Sequence, residues 1–137
     1  MDTAIIFPDA QLAGRDLLRR LLAGRAEPVV QNVTVSTRGP DDNDDKPALP
    51  YVQVVVDGTY RDSRLNGRAT LRVIVWHSDE GLAQRLALLC EALLLASSSD
   101  DIRGFSPLVG PIPTGDPDTQ EPMSYFTLTA RLRPKNL

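Results

Sequence analysis

The sequence predicts an α+β fold in which two main helices pack on a mixed, mostly antiparallel sheet of four to five strands. Two segments repeat apolar residues at helical spacing, and several others alternate apolar and polar residues as strands do. The chain has 137 residues, of which 42% are hydrophobic and 24% charged, and this suffices for one core without disulfides or metals. We expect a single domain over residues 1–137.

The first helix and the first strand are predicted in the N-terminal third. In residues 8–25, leucines recur at helical spacing and charged residues occupy the other side, so an amphipathic helix is expected. Asp9 complements the helix dipole, and Gly24 favours a stop. Residues 29–36 are β-branched and partly alternating, which predicts a strand.

Residues 37–50 are predicted to form a long exposed loop. They contain three prolines, a glycine and four aspartates, without apolar periodicity. Loops of this length are uncommon inside compact domains and are often functional. The candidate partner-contact residues of this loop are Asp41, Asp42, Asp44 and Asp45. Calcium binding is an alternative use, but the run lacks the central glycine and later glutamate of the EF-hand loop, so a solvated acidic loop is preferred.

A hairpin is predicted next. Residues 51–57 and 68–76 each place aliphatic residues on one face and predict two strands. The connection is polar, and the arginines on it and beside it are Arg61, Arg64 and Arg68. These side chains can contact phosphate, but the net charge of −3 argues against strong affinity for nucleic acid. Ion pairing within or between subunits is the preferred interpretation, and the three arginines are candidate partner-contact residues.

The second helix has the clearest pattern in the sequence and is predicted over residues 78–96. Ser78 is expected to cap it, and acidic residues occupy its first turn. The predicted core-facing stripe consists of Leu82, Leu86, Leu89 and Leu93, and it is widened on one flank by Ala83, Cys90 and Leu94. Leu88 and Leu95 project to the other side, which predicts cover on both sides of this helix. We take these two leucines as candidate subunit-contact residues.

The C-terminal third predicts an irregular passage followed by a strand. Residues 100–122 contain five prolines and three glycines, so at most a short strand is expected near residues 108–112. Residues 123–133 alternate apolar with polar side chains, which predicts a half-buried strand with one wet or partner-facing side.

The chain carries little of the chemistry that enzymes use. Cys90 and His77 are its only cysteine and histidine, which excludes intramolecular disulfides and zinc clusters. Cys90 lies on the apolar side of the second helix and is expected to be an inert core residue. His77 lies at a strand–helix junction, but no nucleophile or orienting carboxylate stands at motif spacing. Phosphate-loop, dinucleotide and serine-hydrolase signatures are absent, so we expect no enzyme activity, cofactor or metal.

The sequence predicts neither a signal peptide nor a membrane span. The first residues carry no basic region, and their short apolar run stops at Pro8. No apolar stretch reaches the ~20 residues that cross a bilayer. We therefore expect the protein to be made and assembled in the cytoplasm.

The order of these elements resembles that of the tail terminator, or tail completion, proteins of long-tailed bacteriophages. The resemblance covers nearly the whole chain and rests most on PYVQVVVDG, the arginine-bearing turn, TLRVIVWHSDEGLAQRLALLCEALL and YFTLTARLR. In that family, a strand ending in an aromatic residue runs directly into a leucine-rich helix, as happens here after Trp76.

This resemblance implies a structural virion protein and no enzyme. Tail terminators form a ring, commonly a hexamer, at the head-proximal end of the tail tube, where they end tube polymerisation and offer a surface to the head. The implied partners are other copies of the chain, the tail tube protein and head–tail connector or neck proteins, while DNA passes through the ring without specific binding. A related head-completion or stopper protein of the neck is the alternative. A small cytoplasmic enzyme or ligand-binding domain using His77 is the second alternative.

Overall fold

Two helices pack on one face of a five-stranded sheet, which confirms the predicted α+β class. The computed structural model describes residues 4–40, 48–117 and 120–137. Its elements in chain order are β1 (Ile5–Ile6), α1 (Ala10–Leu22), a 3₁₀ helix (Pro28–Val30), β2 (Thr34–Ser36), β3 (Tyr51–Arg61), β4 (Gly67–Trp76), α2 (Glu80–Leu95), β5 (Ile102–Gly115), β6 (Pro122–Leu132) and β7 (Lys135–Asn136). Neither described helix has the length and apolar character needed to cross a bilayer.

The five-stranded sheet has the strand order β2-β3-β4-β6-β5. β2 runs parallel to β3 and the other neighbouring pairs are antiparallel, so the sheet is mixed and mostly antiparallel, as predicted. β1 and β7 form a separate antiparallel pair. It lies beside the tip of the β3–β4 hairpin, where Phe7 packs against Gly67. The long β5 and the short β2 are therefore the two edge strands of the main sheet.

The core lies between the main sheet and the two helices. Alternate residues of the central strands point toward the helices and are fully buried, among them Val54, Val73 and Phe126. α1 approaches the sheet closely, because a Cβ at Gly14 would lie 3.0 Å from Cδ1 of Leu71. In the described part of the chain, no helix covers the opposite face of the sheet.

The N-terminal third confirms the predicted helix and corrects the predicted strand. Asp9 caps α1, since its Oδ1 accepts hydrogen bonds from two backbone N–H groups of the first turn, each at 3.1 Å. The strand predicted over residues 29–36 is wrong in its first half, which contains most of the 3₁₀ helix and a turn. Asn32 has a φ of 64°, a left-handed conformation that interrupts an extended chain. Only Thr34–Ser36 pairs with β3.

The buried stripe of α2 lies on the flank that was predicted to widen it, and not along the line of Leu82, Leu89 and Leu93. Its fully buried residues are Ala83, Leu86, Ala87, Cys90 and Leu94. Leu82, Leu89 and Leu93 are only partly buried beside this stripe. The small side chains let the helix axis approach the sheet, and the longer leucines then pack at its sides. The helix cap is Asp79 rather than Ser78, because Oδ1 of Asp79 accepts the N–H of Leu82 at 2.8 Å.

The prediction of an irregular passage over residues 100–122 is wrong, because most of these residues form β5. This strand pairs antiparallel with β6. Its three prolines, Pro107, Pro111 and Pro113, are tolerated because an edge strand needs no N–H donors on its outer side. The register shifts between Pro107 and Val109 and again between Val109 and Ile112, which accommodates the irregular backbone within the ladder.

Gly110 is the β5 position at which we expect a side chain to be least tolerated. Its φ is +85°, and a Cβ there would lie 2.6 Å from the carbonyl oxygen of Tyr125 and 3.1 Å from Cα of Phe126. Both contacts are with backbone, so Gly110→Ala is expected to lower the free energy of unfolding by about 1–3 kcal/mol. Urea denaturation followed by circular dichroism measures this loss. Gly115→Ala is the control, because no atom lies within 4 Å of a Cβ at that position. Equal losses at the two glycines would contradict the prediction.

Candidate functional site

The side of α2 that carries Leu88 and Leu95 faces β5. Gln84, one turn before Leu88, donates a hydrogen bond to the carbonyl of Pro111 at 3.2 Å and accepts one from the hydroxyl of Ser124. Leu88 and Leu95 remain 48% and 36% exposed. Both leucines therefore lie on one accessible apolar surface, which we call the β5 flank of α2.

β5 contributes exposed apolar residues that the sequence did not single out. Leu108 and Val109 are 53% and 51% exposed, and Ile112 is also exposed. Val109 and Ile112 pair with Thr127 and Tyr125 of β6, so they belong to the sheet face opposite the helices. The apolar run of β5 was visible in the sequence, but the prolines within it indicated an irregular segment.

The sheet face opposite the helices, which we call the open face, is a second accessible surface. One row across it consists of Gln53, Ile74, Tyr125 and Ile112, and the next of Val55, Arg72, Thr127 and Val109. Arg72 forms an ion pair with Asp57 at 3.2 Å. Its Nε is buried and has no hydrogen-bond partner among the described residues. The open face thus mixes aliphatic, aromatic and charged groups on half-buried and exposed positions, and it includes the polar side of β6.

The predicted basic turn lies at the tip of the β3–β4 hairpin. The guanidinium carbon of Arg61 lies 4.7 Å from the ring centroid of Phe7, in a cation–π contact. Arg68 forms an ion pair with Asp62 at 3.1 Å. Arg64 is exposed on the same tip. Arg61 and Arg68 thus make contacts within the chain, which agrees with the ion-pairing interpretation for Arg68.

The predicted acidic contact residues Asp41, Asp42, Asp44 and Asp45 lie outside the described residues. The segment that leads to them is attached to β3. The hydroxyl of Tyr51 donates to the carbonyl of Arg38 at 2.7 Å, and the amide of Gln53 donates to the carbonyl of Thr37 at 3.3 Å. Residues 37–38 are therefore held at one end of the open face.

A groove of about 450 Å³ lies on the other side of α2, and we call this side the groove flank. Leu82, Arg85 and Leu89 of α2 line one side of the groove, and Glu27, Pro28, Val29 and His77 line the other. Glu27 forms an ion pair with Arg25 at 2.7 Å, so its carboxylate is already compensated within the chain. Nδ1 of His77 accepts the N–H of Ser78 at 2.8 Å, which leaves Nε2 to donate to the carbonyl of Val29 at 3.2 Å. His77 therefore fixes the 3₁₀ helix beside α2 and builds the groove wall.

Cys90 is a core residue, as predicted. The thiol packs in the fully buried stripe of α2, and burial raises its pKa to about 12, so it stays protonated at neutral pH. Within residues 4–40, 48–117 and 120–137, no three His, Cys, Asp or Glu side chains come together as metal ligands.

The fold of this chain has a counterpart among solved structures. A chain in the virion of a native gene transfer agent (GTA) particle aligns with a TM-score of 0.63 at 14% identity, over 91% of this chain and 99% of that one. This chain shares its fold with that virion chain. The bacteriophage SPP1 protein gp17 aligns with a TM-score of 0.49 at 17% identity, over 87% of this chain and 90% of that one. No protein-family model and no curated protein matches the sequence.

The match to the GTA virion chain includes almost all of both chains, so the two helices and the main sheet belong to one shared architecture. At 14% identity, this match shows a shared fold.

Proposed function

We propose that this chain is a structural virion protein that forms a ring at the head-proximal end of a phage tail tube. The ring, hexameric as is common for tail terminators, ends tube polymerisation and provides the surface that the head joins. The observation that carries the proposal is the fold shared with a GTA virion chain over 91% of this chain and 99% of that one. The resemblance to tail terminators, drawn from the sequence, adds the position in the tail.

The two sides of α2 support a ring, because each copy in a ring presents two different surfaces to its two neighbours. The β5 flank exposes two leucines, Leu88 and Leu95. The groove flank is concave and is walled by Pro28 and Val29. Unlike surfaces on two sides of one element favour head-to-tail contacts over a simple pair.

The remaining surfaces fit partners that are not copies of the chain. The open face and the segment that contains Asp41, Asp42, Asp44 and Asp45 are proposed to meet the tail tube protein and the connector or neck proteins. Arg64, at the hairpin tip, is proposed as a basic contact residue for the same partner proteins. The net charge of −3 means that DNA passing through the ring is tolerated rather than bound.

Native mass spectrometry and electron microscopy test the proposal together. The purified chain is measured alone and after mixing with tail tube protein of the same particle. We expect a ring of defined mass, formed spontaneously or on addition of the tube protein, and tubes that stop growing with the ring at one end. A chain that stays monomeric while tubes keep elongating would overturn the proposal. A gold-labelled chain found only on the connector would favour the neck protein instead.

Deletion of residues 41–45 is expected to leave the fold intact and to impair tube capping. These residues lie in the predicted acidic loop, and long loops within compact domains are often functional. Circular dichroism measures folding, and the length distribution of assembled tubes measures capping. A matched variant with Asp41, Asp42, Asp44 and Asp45 all replaced by asparagine separates the loss of charge from the loss of length. Full capping by the deletion variant would count against a role for this loop.

A further inference from the structure

The two flanks of α2 carry the same residue pattern with opposite charge. The groove flank has Leu82-x-x-Arg85-x-x-x-Leu89, and the β5 flank has Leu88-x-x-Glu91-x-x-x-Leu95. The displacement between the two patterns corresponds to a rotation of about 120° around the helix axis at ~100° per residue. The fully buried stripe of α2 lies between them on the side of the sheet. The helix thus presents one leucine pair with a cation on one side and a matching pair with an anion on the other.

The charged groups of Arg85 and Glu91 have no ionic partner within the described part of the chain. Arg85 is exposed and Glu91 is half-buried, and in the described ranges neither side chain forms a hydrogen bond or ion pair with another residue. They are too far apart along α2 to meet each other, since side-chain pairs on a helix form at three or four residues' separation.

The shapes of the two flanks are also complementary. Leu82 and Leu89 are partly buried and line the groove, whose volume of about 450 Å³ has room for aliphatic side chains from outside. Leu88 and Leu95 project from the β5 flank and are 48% and 36% exposed. A projecting leucine pair on one surface and a leucine-lined groove on the other match when two copies meet.

We propose that the occupant of the groove flank is the β5 flank of a second copy of this chain, docked head to tail. Arg85 of one copy pairs with Glu91 of its neighbour, and the leucines on both sides pack around this ion pair. Each copy gives one flank and receives the other, so the contact repeats around a ring. This inference rests on the proposed ring function and specifies the surface through which the ring closes.

Charge reversal tests the pairing. Arg85→Glu and Glu91→Arg each place like charges across every contact, and each variant is expected to raise the concentration needed for assembly by about tenfold or more. The reversed pair in Arg85→Glu/Glu91→Arg is expected to restore assembly to within about threefold of the wild type. Arg20→Glu changes an exposed arginine of α1 by the same charge and serves as the control. Native mass spectrometry at a series of concentrations measures each midpoint.

Mixing the two single variants is the decisive step. Copies with Arg85→Glu and copies with Glu91→Arg restore opposite charges at every contact when they alternate, so an equimolar mixture is expected to form an even-numbered ring. Three results would overturn the inference without contradicting the proposed ring. The single variants could assemble like the wild type, they could lose no more than Arg20→Glu does, or the equimolar mixture could form only dimers. A wild-type chain that forms no ring with or without tube protein would overturn the proposed function, and this inference with it.

Discussion

Replacing both Leu88 and Leu95 by aspartate is expected to hold the protein as a folded monomer. Both side chains are exposed in the single chain, so the fold does not depend on burying them. A leucine removed from water at a subunit contact contributes about 1.5–3 kcal/mol, and a carboxylate in its place must be desolvated. The double variant is therefore expected to assemble at least about a hundredfold more weakly than the wild type. Native mass spectrometry at the wild-type assembly concentration measures the effect.

A matched control separates contact loss from a general effect of added charge. Leu12 is 42% exposed on α1 and does not line the groove, so Leu12→Asp is expected to leave the assembly state unchanged. The buried thiol of Cys90 reports folding, because it reacts with thiol reagents only when the core opens. Wild-type native mass in a double variant whose Cys90 stays protected would mean that these leucines are ordinary surface residues.

Phe126→Ala is expected to cause the largest loss of stability of any single substitution considered. Phe126 is completely buried on a central strand, where it pairs with Val73 and faces the helices. Truncation of a buried phenylalanine costs about 3–5 kcal/mol because a cavity remains. Small domains have about 5–15 kcal/mol in total, so the variant is expected to lose a large share of its stability. Urea denaturation followed by circular dichroism measures the change in the free energy of unfolding.

The neighbouring residue provides the comparison for this prediction. Tyr125 lies on the open face and is only half-buried, so Tyr125→Ala removes fewer packing contacts and is expected to cost about 1 kcal/mol. If the two variants lost equal stability, the core would not lie between the sheet and the helices in the way described.

Local patterns in the sequence were enough for the two helices and for strands β3, β4 and β6. The alternation in β4 and β6 places Val73 and Phe126 on the buried face. Asp9 lies at the start of α1, as expected, although the cap of α2 is Asp79 and not the predicted Ser78. These features depend on neighbours within one or two turns of the chain, and such neighbours can be read directly from the sequence.

The candidate contact surface was predicted only in part. Leu88 and Leu95 were identified as off-stripe residues and do lie exposed on α2. Leu82 and Leu89 were assigned to the core, but they line the groove beside the 3₁₀ helix. The apolar pattern of a helix does not distinguish burial by its own chain from burial by another surface, so the centre of the stripe was placed too far toward Leu82 and Leu89.

β5 shows where local rules fail. Its prolines argue against a strand wherever both edges need N–H donors, but β5 lies at the edge of the sheet and has only β6 as a neighbour. Strand order is a property of the assembled sheet, and no residue within 102–115 encodes it. The late start of β2 after Asn32 also depends on tertiary structure, because β2 begins at Thr34, where the chain first pairs with β3.

The sequence by itself determined the fold class, the two helices, the hairpin, strand β6 and the core position of Cys90, since each depends on short-range periodicity or on side-chain size. Only the tertiary structure decided that the proline-rich segment is an edge strand, which side of α2 meets the sheet, and that the 3₁₀ helix held by His77 forms a groove with α2. Those outcomes depend on contacts between segments that are distant in the sequence. Such contacts are defined only when the whole sheet has formed and the helices have packed on it.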